Sequence, residues 1–266
     1  MKLACFDVDG TLLPSYNAPL PKQNVLAVQR FADLGNAIAI ASGRPFLSCR
    51  KFLDCFSSPY RYVIAAGGAL AYDYEGNVLW KKTLCKSDFI HFRDELSSKE
   101  GVSVYCYLGN DCMASYFPSP WADFEFGINS FAGHFDLKQS EDVLDKFGVS
   151  KIMITSAPEI SKTISFPKED YDRYEIVRSS PNFLEVMAKG ISKASGAYAI
   201  MERLGIKKED VYAFGDSGND VGMIKAFNGV AMGNAMEEVK KEAKYITKNC
   251  DECGVAYALS ELLHLI

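Results

Sequence analysis

The chain has no run of basic residues, no apolar stretch long enough to cross a bilayer, no low-complexity linker and no internal repeat. The first absence, with a formal net charge of −5, argues against nucleic acid as a partner, because nothing stands ready to neutralise a row of phosphates. The second argues against a membrane span. The N-terminus passes from Lys2 to Asp7 without the apolar middle of a signal peptide, so a cytoplasmic location is expected. Histidine is scarce, limited to His91, His134 and His264. The eight cysteines form no framework: Cys5, Cys49, Cys55, Cys85, Cys106 and Cys112 are scattered through strand-like or helical patterns as small hydrophobes. Cys250 and Cys253 make the one Cys-x-x-Cys. With no second pair and few histidines, a zinc reading has little support.

What is present is an ordinary globular composition, 48% apolar and 24% charged, in a chain of 266 residues that can form one large domain or two smaller ones. Its most telling stretch is Asp7-Val8-Asp9-Gly10-Thr11, directly after the apolar run Leu3-Ala4-Cys5-Phe6. Such a run reads as a buried strand that delivers Asp7 to a sheet edge, and Gly10 lets the backbone turn sharply after it. Two carboxylates spaced i, i+2 on that tip suit a hard divalent cation, with one left to act as nucleophile. A calcium loop of the EF-hand type would need a glutamate at its twelfth position, where this chain has Ala18. A solvated Asp/Gly turn is the bland alternative, and the motif alone weighs modestly against it.

Both ends of the chain alternate strand and helix. Leu3 to Phe6, Ala37 to Ala41, Tyr62 to Ala66 and Val211 to Phe214 read as strands, and shorter apolar runs follow at Gly229 to Met232 and Tyr245 to Thr247. Asn24 to Leu34 and Phe46 to Phe56 read as helices, as does the face Ala197, Ile200, Met201 and Leu204 closed by Gly205. Parallel strands with helices on both faces are implied. The middle reads differently. Strands are expected at Val102 to Leu108, Met113 to Phe117, Lys151 to Thr155, Tyr174 to Val177 and Phe183 to Val186, helices at Ser87 to Ser98, Glu141 to Phe147 and near Pro158, and an irregular aromatic stretch at Trp121 to Phe135. That pattern suggests an antiparallel sheet with helices on one face. The expected organisation is α/β, with residues 1–83 and 187–266 forming a core and residues 84–186 an inserted α/β module.

Three more motifs fall where core strands end, and the carboxyl ends of parallel strands converge on one crevice. Ser42 and the backbone of Gly43 offer donors to phosphate oxygens, although Ser42 could simply cap the following helix. Lys193, in Lys189-Gly190-Ile191-Ser192-Lys193, is placed at a helix start from which it can neutralise a phosphoryl group; Lys189 lies outside it. In Gly215-Asp216-Ser217-Gly218-Asn219-Asp220 the two acids are spaced i, i+4. With Asp7 and the Asp9 backbone oxygen they would complete a magnesium site that keeps waters and a phosphate oxygen as further ligands.

With these four motifs in this order, the chain resembles the haloacid-dehalogenase superfamily, and within it the Cof-type (subfamily IIB) sugar-phosphate phosphatases with an inserted α/β cap. Ala41 to Pro45 and Gly254-Val255-Ala256 also fit, which makes the Cys250/Cys253 pair incidental. The resemblance implies a Rossmannoid core and Mg2+-dependent hydrolysis of a small phosphate monoester. It implies Asp7 as nucleophile, Asp9 as general acid/base, and Ser42, Gly43 and Lys193 as phosphate binders. Asn219 would assist at the phosphate, and Asp216 and Asp220 would stand on the metal side with Asp7 and Asp9. Gly67-Gly68 departs from the family's frequent Asn-Gly. Candidates for substrate contact on the inserted module are Asn129, His134, Arg178 and Asn182. A phosphomutase would use the same aspartates but return the phosphoryl group to a sugar hydroxyl. A phospho-ligand sensor would have no need of both a nucleophile and an acid/base.

Overall fold

The computed structural model describes residues 1–15, 18–116 and 119–266. In chain order its strands are β1 (Leu3–Phe6), β2 (Ala37–Ala41), β3 (Arg61–Ala65), β4 (Leu70–Asp73), β5 (Val78–Lys81), β6 (Ser103–Leu108), β7 (Cys112–Ser115), β8 (Gly133–Asp136), β9 (Val149–Thr155), β10 (Tyr174–Ser180), β11 (Phe183–Ala188), β12 (Val211–Gly215), β13 (Asn228–Ala231) and β14 (Tyr245–Ile246). The helices are α1 (Lys22–Asp33), α2 (Phe46–Arg50), α3 (Lys86–Leu96), α4 (Pro120–Ile128), α5 (Val143–Phe147), α6 (Pro158–Ser161), α7 (Lys168–Arg173), α8 (Lys193–Leu204), α9 (Val221–Ala226), α10 (Glu237–Glu242) and α11 (Gly254–Tyr257). They fall into two compact units: Met1–Gly43 with Cys49–Trp80 and Ser192–Ile266, and Lys81–Ile191 with the short segment Arg44–Ser48. The expected α/β class, a Rossmannoid core with an inserted α/β module, is the one observed.

The first unit is built on a sheet in the order β14-β13-β12-β1-β2-β3-β4-β5. Neighbours from β14 to β3 are parallel, and β4 returns antiparallel to β3. Strands β1 and β2 are buried along their whole length, which is why they read as unbroken apolar runs rather than alternations. Phe6 and Phe214 face each other across β1 and β12 with ring centroids 4.8 Å apart, each almost wholly buried. From β1 the chain builds outward to β2 and β3 on one side and returns to β12 and β13 on the other. Connections therefore diverge at β1, and the loops after β1, β2 and β12 border one crevice. Strands β4 and β5 lie between residues 66 and 86, a segment for which the sequence reading names no strand.

The second unit holds a sheet in the order β10-β11-β9-β6-β7-β8. It is antiparallel except for one pair: β8 runs parallel to β7. The aromatic stretch expected to be irregular is instead α4 followed by β8. Pro120 occupies the first turn of α4, where a missing N–H costs nothing. Tyr105, Tyr107, Met113 and Met153 share one face of the sheet and are covered by Ala122 and Trp121 of α4 together with Phe131 and Phe183. The strand expected to begin at Met113 is β7; its last expected residue, Phe117, lies outside the described residues. Helix α7 is a further addition to the sequence reading. Its polar stretch hides the amphipathic signal, although Pro167 and the acidic first turn of Glu169 and Asp170 are start signals.

Candidate active site

The tip after β1 is fixed by its own backbone. The Asp7 amide still donates to Phe214 O at 3.0 Å, so Asp7 is the last residue pinned to the sheet. Val8 O then accepts from the amides of Thr11 and Leu13, and the Gly10 amide donates to Leu13 O at 2.8 Å. Gly10 sits at φ +80°, and a Cβ there would come within 2.4 Å of Asp216 Oδ2. The glycine is required both by the turn and by the acid packed against it. Asn234 secures the tip from outside, its Nδ2 donating to Gly10 O at 2.9 Å while its Oδ1 accepts from the Cys250 amide.

The loop after β12 is organised by Asp220. Its Oδ2 accepts from the amides of Asp216 and Ser217, both at 3.0 Å, and from Ser217 Oγ at 3.3 Å. This is a capping box that opens a short turn leading into α9. Asp220 is wholly buried, and its other oxygen accepts from Lys193 Nζ at 2.7 Å. Asp216 is half-buried, and its Oδ1 accepts from Thr11 Oγ1 at 3.1 Å. The hydroxyl of Thr11, itself fully buried, thus fixes one acid from the opposite loop.

Lys193 is the first residue of α8, after Ser192, which closes its own capping box with Ser195. Its side chain is 1% exposed, and Nζ lies 2.6 Å from Asp7 Oδ1 and 2.7 Å from Asp220 Oδ1. Gly68 decides how close α8 can come: at φ +103° its missing Cβ would stand 1.9 Å from Ser192 O. That close approach is what Gly67-Gly68 provides. Gly196 of α8 meets Ile64 of β3 in the same way.

Three carboxylates and one ammonium share this space. The ligand oxygens of Asp7, Asp216 and Asp220 all lie within 4.8 Å of one another. Burial and the neighbouring charges of Asp220 and Asp216 push the Asp7 carboxyl well above its ordinary range, against the pull of Lys193. Asp216 is pushed up to about 6 by burial and Asp220, with the Thr11 hydrogen bond and Lys193 opposing. Burial alone would lower the Lys193 ammonium, but Asp220 and Asp7 more than offset it and raise its pKa. One cation for three acids leaves the site short of positive charge. The donor set is all oxygen, as a hard divalent ion prefers, so the residues present fit magnesium.

The structure therefore brings together Asp7, Lys193, Asp216 and Asp220. The carboxylate of Asp9 is not in the three-acid cluster; the residue is half-buried two positions on, close enough to Asp216 to raise its pKa. Ser42 is buried at the end of β2, where its amide donates to Ile64 O and its carbonyl accepts from the Gly67 amide; Gly43 follows, half-buried. Asn219 is half-buried in the β12 loop and accepts from Ser217 Oγ at 2.9 Å. In the second unit, Asn129 donates to Glu125, His134 pairs with Ser115 Oγ, Arg178 donates to Ser161, and Asn182 donates to Ser156 O. Each of these four is engaged within its own unit. Thr11, Asn234 and Ser217 carry no role in the sequence reading. Thr11 and Ser217 left a trace there as members of the Asp7 and Gly215 to Asp220 motifs, and Asn234 left none.

Residues 4–259 match the model of the haloacid dehalogenase-like hydrolases. The chain is 33% identical over 260 residues to a 5-amino-6-(5-phospho-D-ribitylamino)uracil phosphatase of Bacillus subtilis, covering 97% of this chain and 94% of that one. It is 30% identical to another Bacillus subtilis phosphatase over 99% of its own length and 100% of the relative's. Among solved structures it resembles a subclass IIB sugar phosphatase, with a TM-score of 0.81 and 26% identity over 100% of both chains. A haloacid dehalogenase-like hydrolase from Bacteroides thetaiotaomicron matches with a TM-score of 0.80 and 27% identity, over 98% of this chain and 99% of that one.

Proposed function

The chain belongs to the haloacid dehalogenase-like hydrolases and is a phosphatase, and from that premise we propose that it hydrolyses small sugar-type phosphate monoesters through an aspartyl-phosphate on Asp7. The observation that carries this reading is the position of Lys193 Nζ between Asp7 and Asp220, with Asp216 in the same cluster. The ammonium holds one oxygen of Asp7, so the other is the oxygen directed at phosphorus. Attack forms the Asp7–phosphorus bond as the bond to the leaving alkoxide breaks. Asp9, less buried than Asp7 and outside the three-acid cluster, donates a proton to that alkoxide. A water then attacks the phosphorus of the aspartyl-phosphate, giving its proton to Asp9 and releasing phosphate with Asp7 restored.

Lys193 is already desolvated and fixed by two acids, so it stabilises charge on the phosphoryl oxygens with no reorganisation during the step. The Ser42 and Gly43 segment at the end of β2 and Asn219 of the β12 loop supply further hydrogen bonds to the phosphate. Magnesium, held by Asp7, Asp216 and the backbone oxygen of Asp9, would neutralise phosphoryl oxygens when bound. Asp220 spends one oxygen on two amides and the other on Lys193, so its part is to position the lysine and to reach the ion through water. The inserted module acts as the cap that selects the leaving group. The named relatives act on a sugar phosphate and on a phosphoribityl compound, and both names describe phosphate on a hydroxyl-bearing carbon chain. That shared chemistry supports the substrate class.

The test is a panel of phosphorylated sugars and sugar alcohols assayed for phosphate release with magnesium, in the native chain and in Asp7→Asn. Loss of the nucleophile should lower turnover on the order of 10⁶-fold with an unchanged circular dichroism spectrum. Retained turnover in Asp7→Asn would overturn the assignment.

A further inference from the structure

The second unit contains a group of chemistry-bearing side chains that phosphate hydrolysis does not use. His91 and Glu95 are spaced i, i+4 on α3 and so present their heads on one face of the helix. Asp170 of α7 meets them there. His91 Nε2 lies 2.9 Å from Asp170 Oδ1 and 3.5 Å from Glu95 Oε2, and one ligand atom from each residue falls within 4.8 Å of the other two. Asp170 is 5% exposed, and its second oxygen is buried without a hydrogen-bond donor. A buried carboxylate oxygen with no donor is costly and is not accounted for by a simple His–Asp ion pair. A cation that engages both Asp170 oxygens, the Oδ1 that faces His91 and the Oδ2 without a donor, would account for it.

We propose that His91, Glu95 and Asp170 form a zinc-type divalent cation site in the second unit, tying α3 to α7. Zinc bonds of about 2.0–2.2 Å place tetrahedral ligand atoms about 3.3–3.6 Å apart. The His91–Glu95 separation of 3.5 Å already meets that spacing. The His91–Asp170 separation of 2.9 Å must open by about half an ångström, which a half-exposed imidazole ring can do by turning. One nitrogen and two carboxylates favour zinc over magnesium, which takes oxygen ligands and keeps most of its water. A fourth position remains for water. His91 binds through Nε2 as the neutral imidazole, with the proton on Nδ1. The ring lies edge-on to Phe92, centroids 4.9 Å apart, and stacks on Tyr174 at 6.3 Å. No cysteine takes part, so the site has none of the spacing that a zinc motif shows in sequence.

The experiment follows the nitrogen resonances of the three histidines in the full-length chain after chelator treatment, in excess magnesium so that the Asp7 cluster is saturated. One equivalent of zinc should shift His91 Nε2 and leave His134 and His264 unmoved. His91→Gln and Asp170→Asn should each weaken that equivalent by at least tenfold, and Glu95→Gln provides a third variant should either fail to fold. If His91 does not respond to zinc, the trio is an ion-pair cluster only and the proposal fails. It fails equally if His91→Gln binds the same equivalent with the same affinity. Phosphatase activity does not enter the readout, so the outcome is independent of the proposed mechanism.

Discussion

The two units bury charge in opposite ways. In the second, Lys151 and Glu185 are both largely buried and pair at 3.1 Å, and the buried Glu125, which feels both charges, accepts from Tyr107 and Asn129. Lys151 also lies 4.5 Å from the centre of the Tyr107 ring. Each buried charge there has a direct hydrogen-bond partner in the same unit, and these bonds tie β6, β9 and β11 to α4. In the first unit three carboxylates converge on one ammonium, and two of them are held above their ordinary pKa range. A matched pair needs nothing more. An excess of acid at the carboxyl end of a parallel sheet is poised for a cation and a phosphate. The difference separates a structural polar core from a reactive one.

The sharpest way to break the comparison is to remove the lysine from each. Lys193→Met should lower turnover by about 10²–10³-fold, the scale for losing one preorganised charge donor. It should also cost roughly 3–5 kcal/mol of stability in denaturant titration, unless the stranded acids take up protons. The paired replacement Lys151→Met with Glu185→Leu should leave turnover unchanged and stability unchanged or improved, since a buried pair exchanged for apolar groups is often neutral. Equal losses in the two variants would erase the distinction. Gly10→Ala should come next. The added Cβ meets Asp216 Oδ2 at 2.4 Å in a left-handed backbone, so turnover should fall about 10²-fold with about 1–2 kcal/mol of strain.

The smallest effect is in pH. Asp216 is raised from 3.8 to about 6, so between those values the folded chain holds more protons than the unfolded chain. Metal-stripped protein should therefore lose stability as pH rises through that window, and the loss should persist above it. Magnesium removes the cost by taking the proton's place. The rise in melting temperature on adding magnesium should be larger at about pH 7.5 than at about pH 5. A constant rise would mean that Asp216 does not face the ion.

Much of the first unit was legible because its signals are local. Leu3 to Phe6 is apolar at every position because a central parallel strand is covered on both faces, and the acid that follows it marks the strand's carboxyl end. Asp216 and Asp220 were readable for the same reason, in a glycine-bearing loop after β12. Thr11 was visible as a letter in a motif, but its bond to Asp216 joins loops 205 residues apart, and no local pattern encodes that. The second unit was less legible. Aromatic residues through α4 mask its helical period, and the parallel pairing of β8 with β7 depends on register rather than composition.

The amino-acid order by itself determined which residues stand at strand ends and therefore which acids, hydroxyls and lysine were available for chemistry. It did so because burial on both faces and sharp turns each demand particular side chains over a few adjacent positions. Only the tertiary structure decided that Lys193 divides itself between Asp7 and Asp220, that Asp220 is spent on backbone amides, and that His91 meets Asp170. Those outcomes depend on distances between segments far apart in the chain. They are set by close packing, such as the Cβ-free approach of Gly68 to Ser192, and not by any local preference.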